Sequence, residues 1–348
     1  MLVKTLNLRQ FRNHELKNFN FAPGINTIVG PNAIGKTNVV EAIYYLSLAR
    51  SFRGVEDADL IQKEKEFAEI YSEILEGSLK KAIRILITKK GRQVLVNDKK
   101  VSKLSELSKC VNVLLFEPKD VMLFRGSPKE RRNFLNINLA KKSNRYLEYI
   151  TRYERALKER NELLKNGNVD KKLLDSLTEL LVEYSAPIIE FRSKYIKDIN
   201  DILIKIARAL TGVKGTIEIK YKPSFTLGGN YKEEALNAYK RSLESDLKHK
   251  ATSIGVHRED FTVSLNGRDI GTYGSQGENR LVAIALKLAP YFLIEERDKR
   301  PIVVLDDVMS ELDKNHREKL IKFLRKFEQV FITGTKLEIE GATQINLN

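Results

Sequence analysis

The chain has 348 residues, 42% of them hydrophobic, and a formal net charge of +15 with a pI near 9.5. That apolar content excludes a disordered polyelectrolyte and allows two or three packed units. The excess of cations asks for a polyanion, with nucleic acid the commonest, unless it is only a solvated lysine-rich surface. The single cysteine, Cys110, excludes an internal disulfide, and the histidines His14, His249, His257 and His316 lack metal-ligand spacing.

The opening stretch MLVKTLNLRQF alternates as a strand does and lacks the apolar block of a secretion signal. Ile25–Val29 then reads as a short apolar strand. It runs into Gly30–Thr37, a G-x-x-x-x-G-K-T loop, followed by Val39, Ile43 and Leu46 at helical spacing. Strand, glycine loop and helix in that order predict a phosphate site. Unpaired N–H groups at a helix start point into the loop, and the helix dipole favours an anion there. Lys36 is expected to reach the β- and γ-phosphates of ATP, and Thr37 to place its hydroxyl on Mg²⁺.

Leu79–Lys103 alternates as two strands about Lys89–Arg92 and holds nine basic residues against one acid. Two readings stay open: an edge hairpin whose lysines discourage further pairing, or a surface that contacts DNA phosphates without reading sequence. Lys129–Arg132, KERR, is a second basic candidate. Residues 129–248 read as mostly helical. One apolar stripe runs through Tyr146, Ile150, Tyr153, Leu157 and Leu164. After the Asn166–Asn168 turn a second runs through Ile188, Tyr195, Ile199, Ile202, Ile206 and Leu210, as in an antiparallel helical pair. Pro187 should kink or interrupt the second arm. Near residue 260, EDFTVSLNGRDIG predicts a hairpin with an Asn-Gly turn.

YGSQGENR, Tyr273–Arg280, leads into an apolar helix with Leu281, Ile284, Ala285 and Leu288 on one face. Ser275 and Gly277 therefore stand at a second helix start, another anion site. The longest apolar stretch, Leu281–Ile294, carries Lys287 and Pro290 and is too short to span a bilayer, so a soluble cytoplasmic protein with no membrane partner is expected. Ile302–Leu305 reads as a buried parallel strand, with Asp306 and Asp307 at its C-terminal edge. Asp306 is the expected second Mg²⁺ ligand, and Asp307 is placed to hold or polarise the attacking water. One γ-phosphate is already cradled by the glycine loop, so a second helix start would most simply come from another copy of the chain. Two copies about a two-fold axis would enclose two nucleotides, with Lys36 of one and Ser275 of the other sharing each γ-phosphate. Downstream, FITGTK offers Thr333 or Thr335 where a transporter-type switch histidine would stand.

The order of glycine loop, insertion, Ser-x-Gly signature, Asp-Asp and Ser-x-Leu-Asp (Ser310–Asp313) resembles the ABC ATPase heads of the SMC class, and most of all the RecF family of bacterial recombination mediators. The likeness covers nearly the whole chain. It is carried by FRN at Phe11–Asn13, GKTNVVEAIYYLSLARSFR, FEPKDVMLFRGSPKERRNFLN at Phe116–Asn136, YERALKERNELLK, GVHREDF, YGSQGENR and DDVMSELDKNHREKL.

The resemblance implies an α/β ABC-type ATPase head, a P-loop core with an antiparallel β subdomain. Residues 1–125 and 249–348 would form the head, and 126–248 a helical insertion lobe. Its nucleotide contacts would be Arg12, Gly30, Asn32, Gly35, Lys36, Thr37, Asn38 and Thr333, with Ser275 and Gly277 from the second copy. Thr37 and Asp306 would hold the metal, and Asp307, Lys36 and Ser275 would serve catalysis. The expected activity is weak, DNA-stimulated ATP hydrolysis by an ATP-dependent homodimer. Duplex DNA and single-strand/duplex junctions are the expected targets, RecA loading on gaps the role, and RecR and RecO the partners.

Departures from the pattern are Ala33 in the loop, Lys119 for an acid, Asn136 for Asp, Gln276 and Glu278 in the signature, and Asp307 for a longer Glu. The last, with threonine in place of the switch histidine, suggests slow turnover. A transporter's nucleotide-binding subunit and a clamp that binds ATP without turnover are the competing classes.

Overall fold

The computed structural model describes residues 1–102, 106–166, 169–212 and 215–348. Contacts divide the chain into two compact units. One is Met1–Val121 with Lys205–Val213 and Gln276–Asn348; the other is Met122–Ile204 with Lys214–Ser275. Residues 249–275, assigned above to the head, thus group with the helical segment.

The first unit holds two sheets. Five parallel strands lie in the order Thr343–Asn346, Gly24–Val29, Gln329–Gly334, Ile302–Leu305 and Val113–Phe116. Ile302–Leu305 and Gln329–Gly334 are buried throughout; the first is an unbroken apolar run, and the second also buries the polar Gln329 and Thr333. The two strands expected from sequence are both present, with Gln329–Gly334 inserted between them.

The second sheet has six strands in the order His14–Asn20, Leu2–Phe11, Phe67–Glu76, Leu79–Thr88, Gly91–Val96 and Lys99–Lys100, all antiparallel. The helix Lys36–Leu48 shares one core with both sheets. Its Val39, Ile43 and Leu46 are buried with Leu6, Ile70 and Ile85 of one sheet and Ile28, Val304 and Phe331 of the other.

The basic stretch forms the expected hairpin at the far edge of the six-stranded sheet, with Lys103 outside the described residues. Four of its cations are matched to acids: Lys80 to Glu73 at 2.9 Å, Lys81 to Glu76, Arg84 to Glu69 at 3.4 Å and Arg92 to Asp57 at 2.7 Å. Lys99 and Lys100 occupy the edge strand itself, where charge opposes edge-to-edge pairing.

The second unit carries the helices Pro128–Lys142, Asn144–Lys165 and Tyr231–His249 and most of the 41-residue helix Lys171–Thr211. Both predicted stripes face inward, and part of the predicted turn, residues 167–168, lies outside the described residues. The long helix runs on across Pro187 rather than ending there. Ile188, Arg192, Tyr195 and Ile199 are buried just beyond it. Their packing outweighs the roughly 3 kcal/mol that an interior proline costs.

The unit is not all helix. IEIKYK at Ile217–Lys222 pairs antiparallel with Asp260–Leu265, which turns at Asn266–Gly267, both at positive φ, into Arg268–Asp269. That pairing explains why 249–275 groups here. Among the described residues, no helix is long and apolar enough to cross a membrane.

Two buried arginines tie the helices together, and one of them, Arg192, reaches GVHRED at Gly255–Asp260. Arg160 meets Asp246 at 2.9 Å and Thr252 at 2.7 Å. Arg192 meets Glu259 at 2.6 Å and also donates to Val256 O, Asn136 Oδ1 and the Tyr146 hydroxyl. Glu259 further accepts from the Tyr221 hydroxyl and from the Ser224 N–H. Glu259→Ala leaves Arg192 buried and unpaired. It is expected to destabilise the protein by about 3–5 kcal/mol, read as a lowered midpoint in urea, and Glu259→Gln by less.

Candidate nucleotide site

The glycine loop joins the strand Gly24–Val29 to the helix Lys36–Leu48. Gly35 adopts φ 109°, and a Cβ there would sit 2.6 Å from Asn13 Oδ1 and 2.7 Å from the His14 ring, so glycine is required. Ala33 is also left-handed, at φ 65°, which strains a residue that carries a side chain. The Lys36 ammonium curls over the loop, donating to Gly30 O at 2.8 Å and Pro31 O at 2.7 Å. Asn32 is exposed at the tip of the loop.

The registers place three polar side chains together. Leu305 pairs with Ile332, so Asp306 and Thr333 leave neighbouring strand ends side by side. Asp306 Oδ1 accepts from the Thr37 hydroxyl at 3.1 Å and from the Thr333 hydroxyl at 2.7 Å. The Thr333 hydroxyl in turn accepts the Asp307 N–H at 2.8 Å. Burial pushes the Asp306 carboxyl above the ordinary carboxylate range, against the two hydroxyl hydrogen bonds. A carboxylate and a hydroxyl on one small centre form an oxygen donor set that fits Mg²⁺. Asp307 is exposed, with left-handed backbone at φ 47° that its bond to Thr333 holds. Thr335 is exposed and Thr333 buried, its hydroxyl committed to the two aspartates.

A second layer ties Arg12 and Asn38, expected as nucleotide contacts, to Glu41, Arg53 and Asn13, which the sequence did not single out. Arg12 Nε and a terminal nitrogen grip the fully buried Glu41 at 2.9 and 2.8 Å, and another nitrogen donates to Asp59 O. Glu41 also accepts from the Ser51 hydroxyl at 2.5 Å and lies 3.6 Å from Arg53. Arg53 donates to Asn38 Oδ1, Asn38 to Asn13 Oδ1, and Asn13 to Ile34 O. The His14 Nε2 lies 3.2 Å from Gly35 O, and burial lowers the ring's pKa. The FRN loop and the ARSFR segment thus brace the phosphate loop from both sides. The one sequence signal was a glutamate inside an apolar helix, Val40-Glu41-Ala42.

At the other end of the sheet, Lys119 bonds Glu117 and Phe52 O, each at 2.9 Å. The signature helix runs from Gln276 to Phe292. Arg280 near its start pairs with Glu311 and donates to Glu311 O at 3.1 Å, tying the helix to the Ser310–Asp313 segment. Ser275 and Gly277 are both exposed, and a Cβ at Gly277 would meet nothing. KERR is not an open cationic patch: Arg131 is bidentate on Asp260 at 2.6 and 2.9 Å, and Arg132 donates to Glu259 O. Of the four, Lys129 and Glu130 stay exposed.

The family model for the RecF/RecN/SMC N-terminal domain matches residues 2–344. The DNA replication and repair protein RecF of Clostridium perfringens is 36% identical over 340 residues, 97% of this chain and 94% of that protein. The protein of the same name from Streptococcus agalactiae is 39% identical over 343 residues, 97% and 92%. The chain belongs to the RecF family. A solved structure of the recombination mediator protein RecF-ATPrS in the RecFOR pathway superposes with TM-score 0.91 at 32% identity, covering 100% of this chain and 96% of that one. RecF-ATP gives 0.89 at 32%. An SMC head bound to the winged-helix domain of ScpA, at TM-score 0.57 and 15% identity, shares the fold. The RecF family thus has the ABC-type ATPase head expected from sequence.

Because folding raises the Asp306 pKa, its contribution to stability is full below the unfolded value and is lost as pH rises through the folded one. Asp306→Asn keeps an acceptor for both threonines without the charge. We expect it to melt at or above the wild-type temperature at neutral pH, with the difference vanishing in acid, and to lose the rise in melting temperature given by ATP with Mg²⁺.

Proposed function

We propose that this protein is an ATP-dependent DNA-binding protein of recombinational repair, working as a homodimer that closes on ATP and hydrolyses it slowly under stimulation by DNA. The carrying observation is the Thr37–Asp306–Thr333–Asp307 constellation at the mouth of the glycine loop, combined with an exposed Ser275.

The loop N–H groups and Lys36 bind the phosphates, and ATP leads Lys36 to exchange its two carbonyl partners for phosphate oxygens. Asn32 and Asn38 line the loop, and Arg12, held by Glu41, stands beside it. Mg²⁺, held by Thr37 and Asp306, would supply Lewis-acid charge at the terminal phosphate. Asp307, oriented through its backbone by Thr333, holds the attacking water. A short carboxylate on a constrained backbone suits slow turnover, hence a timed grip rather than a motor. Ser275 and Gly277 of a second copy complete the γ-phosphate site, so loss of that phosphate loosens the dimer.

The net charge of +15 supports duplex DNA and single-strand/duplex junctions as the polyanion, held through phosphates. RecR, RecO, RecA loading and a cytoplasmic location come from the family. The tight internal use of Arg131 and Arg132 moves the proposed DNA contacts away from KERR.

Sedimentation with ATP, with ADP and without nucleotide should give dimers only with ATP. Ser275→Arg should bind ATP as a monomer and give none; unchanged dimers would remove the shared site. DNA affinity should fall steeply between low and moderate salt, and a flat response in a salt titration would sever charge from DNA binding.

A further inference from the structure

We propose that Arg125 is the positioning residue of the signature loop, fixing the backbone that presents Ser275 to a second copy of the chain. The inference rests on the shared-site reading above.

The loop is held at two points. The Arg125 Nε donates to Gly271 O at 3.1 Å, and a terminal nitrogen donates to Gly274 O at 3.2 Å. Those carbonyls lie at opposite ends of the single turn Ile270–Tyr273, and Ser275 follows directly. A planar fork can span two acceptors in fixed geometry; a lysine's point charge cannot. Gly271 supplies the second hold. The carbonyl of Phe124 comes so close that a Cβ on Gly271 would lie 2.3 Å from it. The turn is closed from below by the buried Ile270 and at its start by Asp269, which accepts from Thr272 N at 2.9 Å.

Arg125 is itself braced. Arg131 donates to Leu123 O and Gly126 O, the carbonyls flanking Phe124 and Arg125, at 3.0 Å each, while it grips Asp260. Asp260 opens the strand that leads through the Asn266–Gly267 turn back to the same loop. A closed circuit results: Asp260, Arg131, the 123–126 segment, Arg125, the 271–274 turn, and the strand again. All of it lies within the second unit.

What this circuit fixes is backbone. Tyr273 stays 70% exposed and Ser275 is exposed. A loop whose main chain is held from within while Tyr273 and Ser275 stay at the surface is suited to a partner rather than to its own core. Arg125 is exposed and buries little, so its loss should fall on presentation and not on folding.

The test uses the full chain and sedimentation equilibrium in ATP. Arg125→Ala should melt and bind a fluorescent ATP analogue as wild type does, yet dimerise about tenfold more weakly. Arg125→Lys, which can reach only one of the two carbonyls, should recover part of the loss. Gly271→Ala, which drives a methyl against Phe124 O, should weaken the dimer through the other hold. Wild-type dimerisation in both Arg125→Ala and Gly271→Ala, alongside a Ser275→Arg chain that stays monomeric, overturns the role of Arg125 and leaves the shared site standing. Should Ser275→Arg dimerise normally, the shared site fails and this inference with it.

Discussion

The site depends on one buried carboxylate. Asp306 ends a strand covered on both faces, and the side chains that hydrogen-bond to it are the hydroxyls of Thr37 and Thr333. Hydroxyls partly offset the desolvation of a charge, and burial still holds the carboxyl above its ordinary range. A cation beside Asp306 would offset the rest. The same two hydroxyls link it to everything around it, Thr37 to the phosphate loop and Thr333 to the backbone of Asp307. A shift of one strand by a single residue would separate all three.

Around that centre the fold spends buried charge on position. Glu41 anchors Arg12 within hydrogen-bonding distance and draws Arg53 to 3.6 Å, so the segments before and after the loop share one fixed point. In the second unit, Arg160 with Asp246 and Arg192 with Glu259 do the same for the helices. Such pairs contribute little net stability against apolar replacements, but breaking one leaves a buried charge unmatched, which punishes any other arrangement. GVHRED therefore carries scaffold duties: His257 bonds the Tyr153 hydroxyl and Thr252 O, Glu259 receives Arg192, and Asp260 receives Arg131.

Positive charge divides in the same way. Lys81, Arg84, Arg92, Arg131 and Arg160 are all matched internally, although the sequence shows each only as a basic residue in a basic chain. A count of lysines and arginines measures the long-range field, while their partners decide which of them can meet a phosphate.

The sequence alone determined what local spacing encodes. Gly30–Thr37 between an apolar strand and a helix, Asp306 and Asp307 after Ile302–Leu305, and Asn266–Gly267 in its hairpin all depend on neighbours within a few residues, and each is where spacing placed it. Tertiary structure alone decided what depends on distant partners. It inserted Gln329–Gly334 between the loop strand and the carboxylate strand, and so set Thr333 against Asp306. It paired Glu41 with Arg12, carried the long helix across Pro187, and joined Ile217–Lys222 to Asp260–Leu265. Strand order and buried ion pairs arise from contacts among segments tens to hundreds of residues apart, and no periodicity in one segment records which other segment will lie beside it.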